Sequence, residues 1–240
     1  MDVQPALLLI ADIAGYTRFM KFHAASLAHA QDIVGQLLEA VIDAARPALR
    51  LAKIEGDAAF FYVPLRQPFD PGWLAQRTTE IYRAFHARIL DLSSNTLCPC
   101  DGCQQAGQLR IKMVGHAGDV VSRKVGGSTE LAGVDVILVH RLLKNDVPLP
   151  EYLLMTEPVY RMLAPEHADR AQALPIELED LGTTQTWYME LQQPAGVDLP
   201  QVRLSPARRI ARHLGLIKRS LPYLLGRRQA CSEFRNVQLD

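Results

Sequence analysis

The chain lacks net charge: its 240 residues carry 26 Lys plus Arg and 26 Asp plus Glu. A globally basic nucleic-acid binder is thereby excluded, because such proteins neutralise phosphates with an excess of cations. It also lacks any apolar run near the ~18 residues that a membrane-spanning helix needs. The opening apolar stretch, residues 6–11, stops at Asp12 without a basic leader, so nothing marks the chain for secretion. Cysteine is scarce and poorly spread for disulfides. Of Cys98, Cys100, Cys103 and Cys231, three fall within six residues, which points to a reducing, cytoplasmic setting. Internal repeats and low-complexity tracts are absent. What is present is 48% apolar and 22% charged residue content with 15 Gly and 15 Pro, an ordinary globular composition that predicts a packed core.

Residues 5–11 read as a short buried strand feeding a tight turn at Ile13-Ala14-Gly15-Tyr16-Thr17. Apolar residues at helical spacing (Leu27, Ile33, Val34, Leu37, Leu38, Val41, Ile42) predict one helix over 17–45, with Thr17 as its cap. Runs 48–54 and 58–63, joined by Glu55-Gly56-Asp57, predict a hairpin. A helix over 73–92 follows, then a strand from residue 109, glycine-rich turns to Gly133, a helix over 134–144 and a strand over 152–155. A short helix after Glu157 and strands over 176–181 and 186–191 complete the alternation. The hairpin rules out a wholly parallel sheet, so the expectation is a mixed-sheet α/β or α+β domain over 1–194. Pro194 and Pro200 bracket a linker to a basic extension over 195–240.

Two carboxylates carry the chemistry. Asp12 ends one buried strand and Asp57 sits in the turn between two others; if those strands are neighbours, both acids project at one edge of the sheet. Paired carboxylates are how proteins hold Mg²⁺, which shares its remaining positions with phosphates and water. The glycine-bearing turn that runs into a helix N-terminus adds free N–H groups for a phosphate. Either aspartate alone reads more plainly as a cap or a turn residue. Together, in these contexts, they point to a metal–triphosphate site.

The segment Ala11-Asp12-Ile13-Ala14-Gly15-Tyr16-Thr17 resembles the opening motif of class III nucleotidyl cyclase domains, the adenylyl and guanylyl cyclases. Lys53-Ile54-Glu55-Gly56-Asp57 resembles their Lys-x-x-Gly-Asp hairpin, His116-Ala117-Gly118-Asp119-Val120 their His-x-Gly-x-Val strand, and Gly133 to Arg141-Leu142 their Gly-to-Arg helix. The order and spacing match over residues 5–192. The Cys-x-Cys-x-x-Cys segment and residues 140–145 resemble, more narrowly, an uncharacterised bacterial branch of cyclase-like proteins, a domain-of-unknown-function family.

The resemblance implies a ferredoxin-like core with flanking helices, a homodimer with sites at its interface, and two-metal (Mg²⁺ or Mn²⁺) attack of a ribose 3′-hydroxyl on an α-phosphate, giving a cyclic nucleotide for signalling. It makes Asp12, Asp57 and the Ile13 backbone the metal ligands. It puts Lys53 and Glu130 on the base, a pairing that leans towards ATP, and Gly15, Tyr16 and Thr17 beside the triphosphate. Arg141 would stabilise the transition state. Two positions depart from the family. Ile137 stands where a transition-state asparagine is expected, and the late hairpin Glu179-Asp180-Leu181-Gly182-Thr183-Thr184 is acidic where a phosphate-binding lysine is expected. Losing one preorganised donor costs about 10²–10³ in rate, so the alternative to a slow cyclase is an inactive homologue that senses nucleotide or serves as a dimerisation module.

Two features stand outside that motif set. Cys98, Cys100 and Cys103 could bind Zn²⁺ with Cys231, His116 or His140 as fourth ligand, act as redox sensors, or remain free thiols; His116 and His140 otherwise read as packing residues. Residues 201–240 hold nine basic side chains against two acidic ones, a balance of +7, while residues 1–200 hold 17 against 24, a balance of −7. Ile210, Leu214, Ile217 and Leu221 recur at helical spacing with Arg208, Arg212 and Arg219 on other faces. Such a basic amphipathic helix fits an anionic membrane surface, an acidic partner, or the acidic domain of its own chain.

Overall fold

In the computed structural model, the described residues are 2–22, 27–65, 70, 72–95, 105–126, 128–192 and the single positions 199, 206, 207, 210, 211, 214, 217 and 225. The strands are β1 (Asp2–Ala14), β2 (Arg50–Glu55), β3 (Ala58–Pro64), β4 (Arg110–Val125), β5 (Ser128–Ala132), β6 (Tyr152–Thr156), β7 (Gln172–Leu178) and β8 (Gly182–Glu190). The helices are α1 (Tyr16–Phe22), α2 (Leu27–Ala45), α3 (Trp73–Asn95), α4 (Val134–Arg141), α5 (Glu157–Tyr160) and α6 (Pro165–Ala168). The chain divides into two compact units. One comprises Met1–Ala14, Leu38–Phe85 and Arg110–Asp198, and the other Gly15–Leu37, His86–Leu109 and Leu199–Asp240.

The first unit holds the whole sheet, in the order β2-β3-β1-β4-β6-β8-β7, with β5 paired to β4. Only β4 and β6 run parallel; every other pairing is antiparallel. This is a mixed α+β architecture with a mostly antiparallel sheet and flanking helices. β1 lies at its centre, pairing β3 on one side and β4 on the other. Because side chains alternate across a strand, Ala6, Leu8 and Ile10 share one face, where they join Phe60, Val114 and Leu154 and the Val136, Val139 and Leu142 side chains of α4 and its end. Leu7 and Leu9 point to the other face and are also fully buried, so this strand is covered on both sides. That explains its uninterrupted apolar run, since fully burying each such side chain contributes roughly 1.5–3 kcal/mol.

Several expectations shift. The helix expected over 17–45 is represented among the described residues by α1 and α2, and Thr17 lies inside α1 rather than capping it. The cap position falls to Gly15, whose φ of 89° suits only glycine and whose carbonyl accepts the Phe19 N–H at 2.8 Å. The stretch expected as glycine-rich turns is mostly strand: β4 runs to Val125 and turns into β5 at Gly126, φ 57°. Gly118 is a strand residue without room for a side chain, because a Cβ there would lie 2.2 Å from the Asp135 carboxyl carbon. In the last hairpin the turn sits at residues 179–181, with Asp180 at φ 63° and Gly182 at φ 73°, so both strands start earlier than the apolar pattern shows. α4 stops at Arg141, and Asn145 receives its end, its Nδ2 donating to the Leu142 carbonyl at 2.7 Å.

The second unit contains α1, the first part of α2, the last part of α3 and a 3-10 turn, Ala106–Gln108. Beyond Asp198, residues 206, 207, 210, 211, 214 and 217 are helical, and Ile210, Leu214, Ile217 and Leu225 are exposed. The cysteines 98, 100, 103 and 231 lie outside the described residues, as do Arg208, Arg212, Arg219 and Leu221. No described helix is long and apolar enough to cross a membrane.

Candidate functional site

Strand register brings the two aspartates together. Asp12 pairs with Ala58 across β1 and β3, and the Ile13 N–H donates to the Asp57 carbonyl at 3.2 Å. The carboxylates lie within hydrogen-bonding reach of each other. Burial and the Asp12 charge push the Asp57 carboxyl up to about 6, its own backbone amide and the Lys112 charge pulling the other way. Two acids whose ionisation is mutually unfavourable form a hard-oxygen site that a divalent cation would relieve, so the residues fit Mg²⁺ or Mn²⁺. No three His, Cys, Asp or Glu side chains cluster as a metal cage among the described residues. A two-carboxylate set would leave the remaining positions to phosphate and water.

Lys112 was not among the residues the sequence singled out. It is the register partner of Asp12 on β4, and its Nζ lies 3.0 Å from Asp12 Oδ2 and 3.3 Å from the Leu143 carbonyl beyond α4. The signal for it was the pairing of β1 with β4, which sequence alone does not register.

Lys53 lies opposite Phe60 on β2, on the same face as Asp12 and Lys112. Its ammonium is 2.5 Å from Glu55 Oε1. Burial raises the Glu55 carboxyl, but Lys53 and His140 outweigh it and hold it below its usual range. His140 Nδ1 donates to the Val136 carbonyl at 2.7 Å, and its Nε2 is 2.9 Å from Glu55 Oε2, off the line of a good hydrogen bond. The ring also meets Phe60 edge-on at 4.9 Å.

Lys53, His140, Arg141 and Lys144 line a cavity of about 670 Å³ with Glu177 and Glu179, floored by Val136, Ile137 and Leu178. Lys53 and Arg141 thus share a cavity. Arg141 is already engaged, its NH1 3.2 Å from Glu179 Oε2 and its NH2 3.4 Å from Asp180 Oδ2. Both acids are over 80% exposed, so these pairs contribute about 0–1 kcal/mol and can be displaced. Ile137 is 52% exposed, as is Val134 at 62%, and both lie on the α4 stripe that carries Arg141. Glu130 is on β5 opposite Arg123, outside the residues that line the cavity. Gly15, Tyr16 and Thr17 belong to the second unit.

His116 has both ring nitrogens occupied, Nδ1 by Thr156 Oγ1 at the end of β6 at 2.7 Å and Nε2 by Asp135 Oδ1 of α4 at 2.8 Å. Asp135 Oδ2 accepts the Asp119 N–H at 2.7 Å. The His-x-Gly segment is therefore a brace that seats the start of α4 on β4, with Gly118 leaving room for the Asp135 carboxylate.

Comparison with known proteins bears on this geometry. The family model described as protein of unknown function (DUF2652) matches residues 34–152. The uncharacterized protein Rv2561/Rv2562 of Mycobacterium tuberculosis is 40% identical over 211 residues, covering 85% of this chain and 94% of that protein. The chain belongs to the family of this mycobacterial protein. Among solved structures, the non-canonical dimeric guanylyl cyclase domain of the RhoGC fusion protein from the fungus Blastocladiella emersonii superposes with a TM-score of 0.55 at 14% identity, covering 79% of this chain and 98% of that one. Adenylate cyclase from Trypanosoma brucei, solved in its monomeric state, gives 0.52 at 16% identity over 84% and 95%. The adenylyl cyclase CyaB from P. aeruginosa gives 0.50 at 14% over 82% and 98%. At these identities the likeness carries the fold: the family member has the fold of class III cyclase domains.

Proposed function

We propose that this protein is a divergent class III nucleotidyl cyclase-like protein that binds a Mg²⁺- or Mn²⁺-bound nucleoside triphosphate, with ATP favoured, as a homodimer. The observation that carries the reading is the Asp12–Asp57 pair, held together by strand register with the Asp57 carboxyl pushed up to about 6. Asp12, Asp57 and the Ile13 backbone would hold the metal, which when bound supplies positive charge to the triphosphate. In the cyclisation, the ribose 3′-oxygen forms a bond to the α-phosphorus, its proton leaves to solvent or base, and the bond to the β-phosphate breaks to release pyrophosphate. Lys53 and Glu130 would read the base, Gly15, Tyr16 and Thr17 would lie along the triphosphate, and Arg141 would neutralise charge developing on the α-phosphate. The exposed apolar stripe of Val134 and Ile137 beside the Lys53 and Arg141 cavity supports dimerisation through the α4 face.

A second reading rests on its own observations. Arg141 is held by Glu179 and Asp180, Lys53 by Glu55, and Ile137 offers no donor. These favour a protein that binds nucleotide without turnover, as a sensor or regulatory module. Purified full-length chain is incubated with each triphosphate and Mg²⁺ or Mn²⁺ while cyclic product and melting temperature are measured. Product that disappears in Asp57→Ala supports the cyclase. Stabilisation without product supports the sensor, and neither signal with any triphosphate would sink nucleotide binding at this site. The basic extension is a separate element of the proposal, a docking segment for an anionic membrane surface.

A further inference from the structure

We propose that Lys112 is a resident counter-cation of the Asp12–Asp57 pair, competing with an incoming divalent ion for Asp12 and keeping the Leu143 carbonyl as its alternative partner. The inference rests on the metal reading of that pair. Lys112 lies directly across from Asp12 in the β1–β4 register, so its side chain rises from the same face of the sheet. Its side chain is 22% exposed, and the Asp12 side chain 14%. Half-buried charges of this kind interact far more strongly than exposed ones.

The charge balance sets the sign. With both aspartates ionised the cluster carries two negative charges and one positive, so Lys112 offsets half of the negative charge in the metal-free protein. A divalent ion at the same carboxylates overcompensates, and the ammonium then opposes it. Lys112 has somewhere to retreat to. Its Nζ is already 3.3 Å from the Leu143 carbonyl, just past the C-terminal end of α4, where the helix dipole favours a cation. Asn145 holds that stretch in place by donating to the Leu142 carbonyl at 2.7 Å and accepting from the Tyr152 hydroxyl at 2.8 Å. The same lysine therefore links the carboxylate pair to the helix that carries His140 and Arg141. Metal arrival at the pair would be felt at the end of α4 through one side chain.

The test is Mn²⁺ titration by calorimetry and metal-free thermal melting at neutral pH, with the full chain, Lys112→Met and the charge-retaining Lys112→Arg. Lys112→Met is expected to bind Mn²⁺ about tenfold or more tightly than the unaltered chain, the scale of one unit charge a few ångström from a divalent ion near a protein surface. It is also expected to melt several degrees lower without metal, while Lys112→Arg follows the unaltered chain in both. Should Lys112→Met not fold, Lys112→Gln carries the same comparison. An unaltered chain that binds Mn²⁺ with no gain in the uncharged variant overturns the role of Lys112 and leaves the metal reading standing. Failure of every version to bind Mn²⁺ at millimolar concentration overturns both.

Discussion

At the scale of single residues, the Asp57 carboxyl is where fold and function pull apart. Its position in a tight turn against β1 places it beside Asp12, and that neighbour makes its ionised form unfavourable. The folded chain therefore binds this proton more tightly than the unfolded chain, whose carboxyl titrates near 3.8. The sign of the linkage follows: the stability contributed by protonated Asp57 is fully present below about 4 and is lost as pH rises through about 6. Metal-free protein should thus lose melting temperature over that window relative to Asp57→Asn, and saturating Mg²⁺ should close the gap. Thermal melts of both chains from pH 4.5 to 7.5, with and without metal, check this. A constant difference between the two across the range would mean that Asp57 does not titrate as the geometry requires. The aspartates themselves were legible in the sequence because Asp12 ends one apolar run and Asp57 sits in the turn just before another. Lys112, Glu55 and Asp135 were not, because each acquires its meaning from a partner on another strand or helix: Asp12, His140 and His116 respectively.

At the scale of elements, the same distinction explains which expectations held. The β2–β3 hairpin was legible because two apolar runs flank Glu-Gly-Asp, and Gly56 does take a left-handed φ of 63°. β4 runs beyond its apolar pattern because its second half breaks the alternation, with Ser122, Arg123 and Lys124 in succession, and contains Gly118, which serves a close approach of Asp135. The β7–β8 hairpin was displaced because its exposed strands carry little apolar pattern, leaving Asp180 and Gly182 to set the turn. That hairpin also carries a functional prediction. Glu179 and Asp180 occupy the place where the family resemblance implies a phosphate-binding lysine, and they hold Arg141 instead. Glu179→Lys together with Ile137→Asn would remove one of the arginine's two acidic partners and supply a donor and a cation. Cyclic nucleotide formation is expected to rise about 10²–10³-fold or more over the unaltered chain, the usual weight of a preorganised donor. Mass-spectrometric quantification of product checks it; a double variant no faster than its parent would show that these two positions do not limit turnover.

At the scale of the whole molecule, the absent net charge separates into a balance of −7 over residues 1–200 and +7 over residues 201–240. A balance of that sign repels triphosphates in bulk, so under the proposed function a metal ion at Asp12 and Asp57, together with Lys53 and Arg141, would supply the positive charge locally. At the described positions of the extension, Ile210 is 51%, Leu214 59% and Ile217 40% exposed. An exposed apolar stripe in a segment rich in arginine matches an anionic lipid surface, where each cation contributes about 1 kcal/mol and apolar side chains enter the headgroup boundary. Residues 203–219 alone hold six basic side chains. Full-length protein should therefore sediment with vesicles containing phosphatidylglycerol, should not sediment with neutral phosphatidylcholine vesicles, and should release as salt rises, since the Debye length falls to about 3 Å at 1 M. Deleting residues 201–240 should abolish the binding. Equal sedimentation of the full and truncated chains would remove the membrane role, and equal binding to neutral vesicles would show that the arginines are not what holds the tail to the surface.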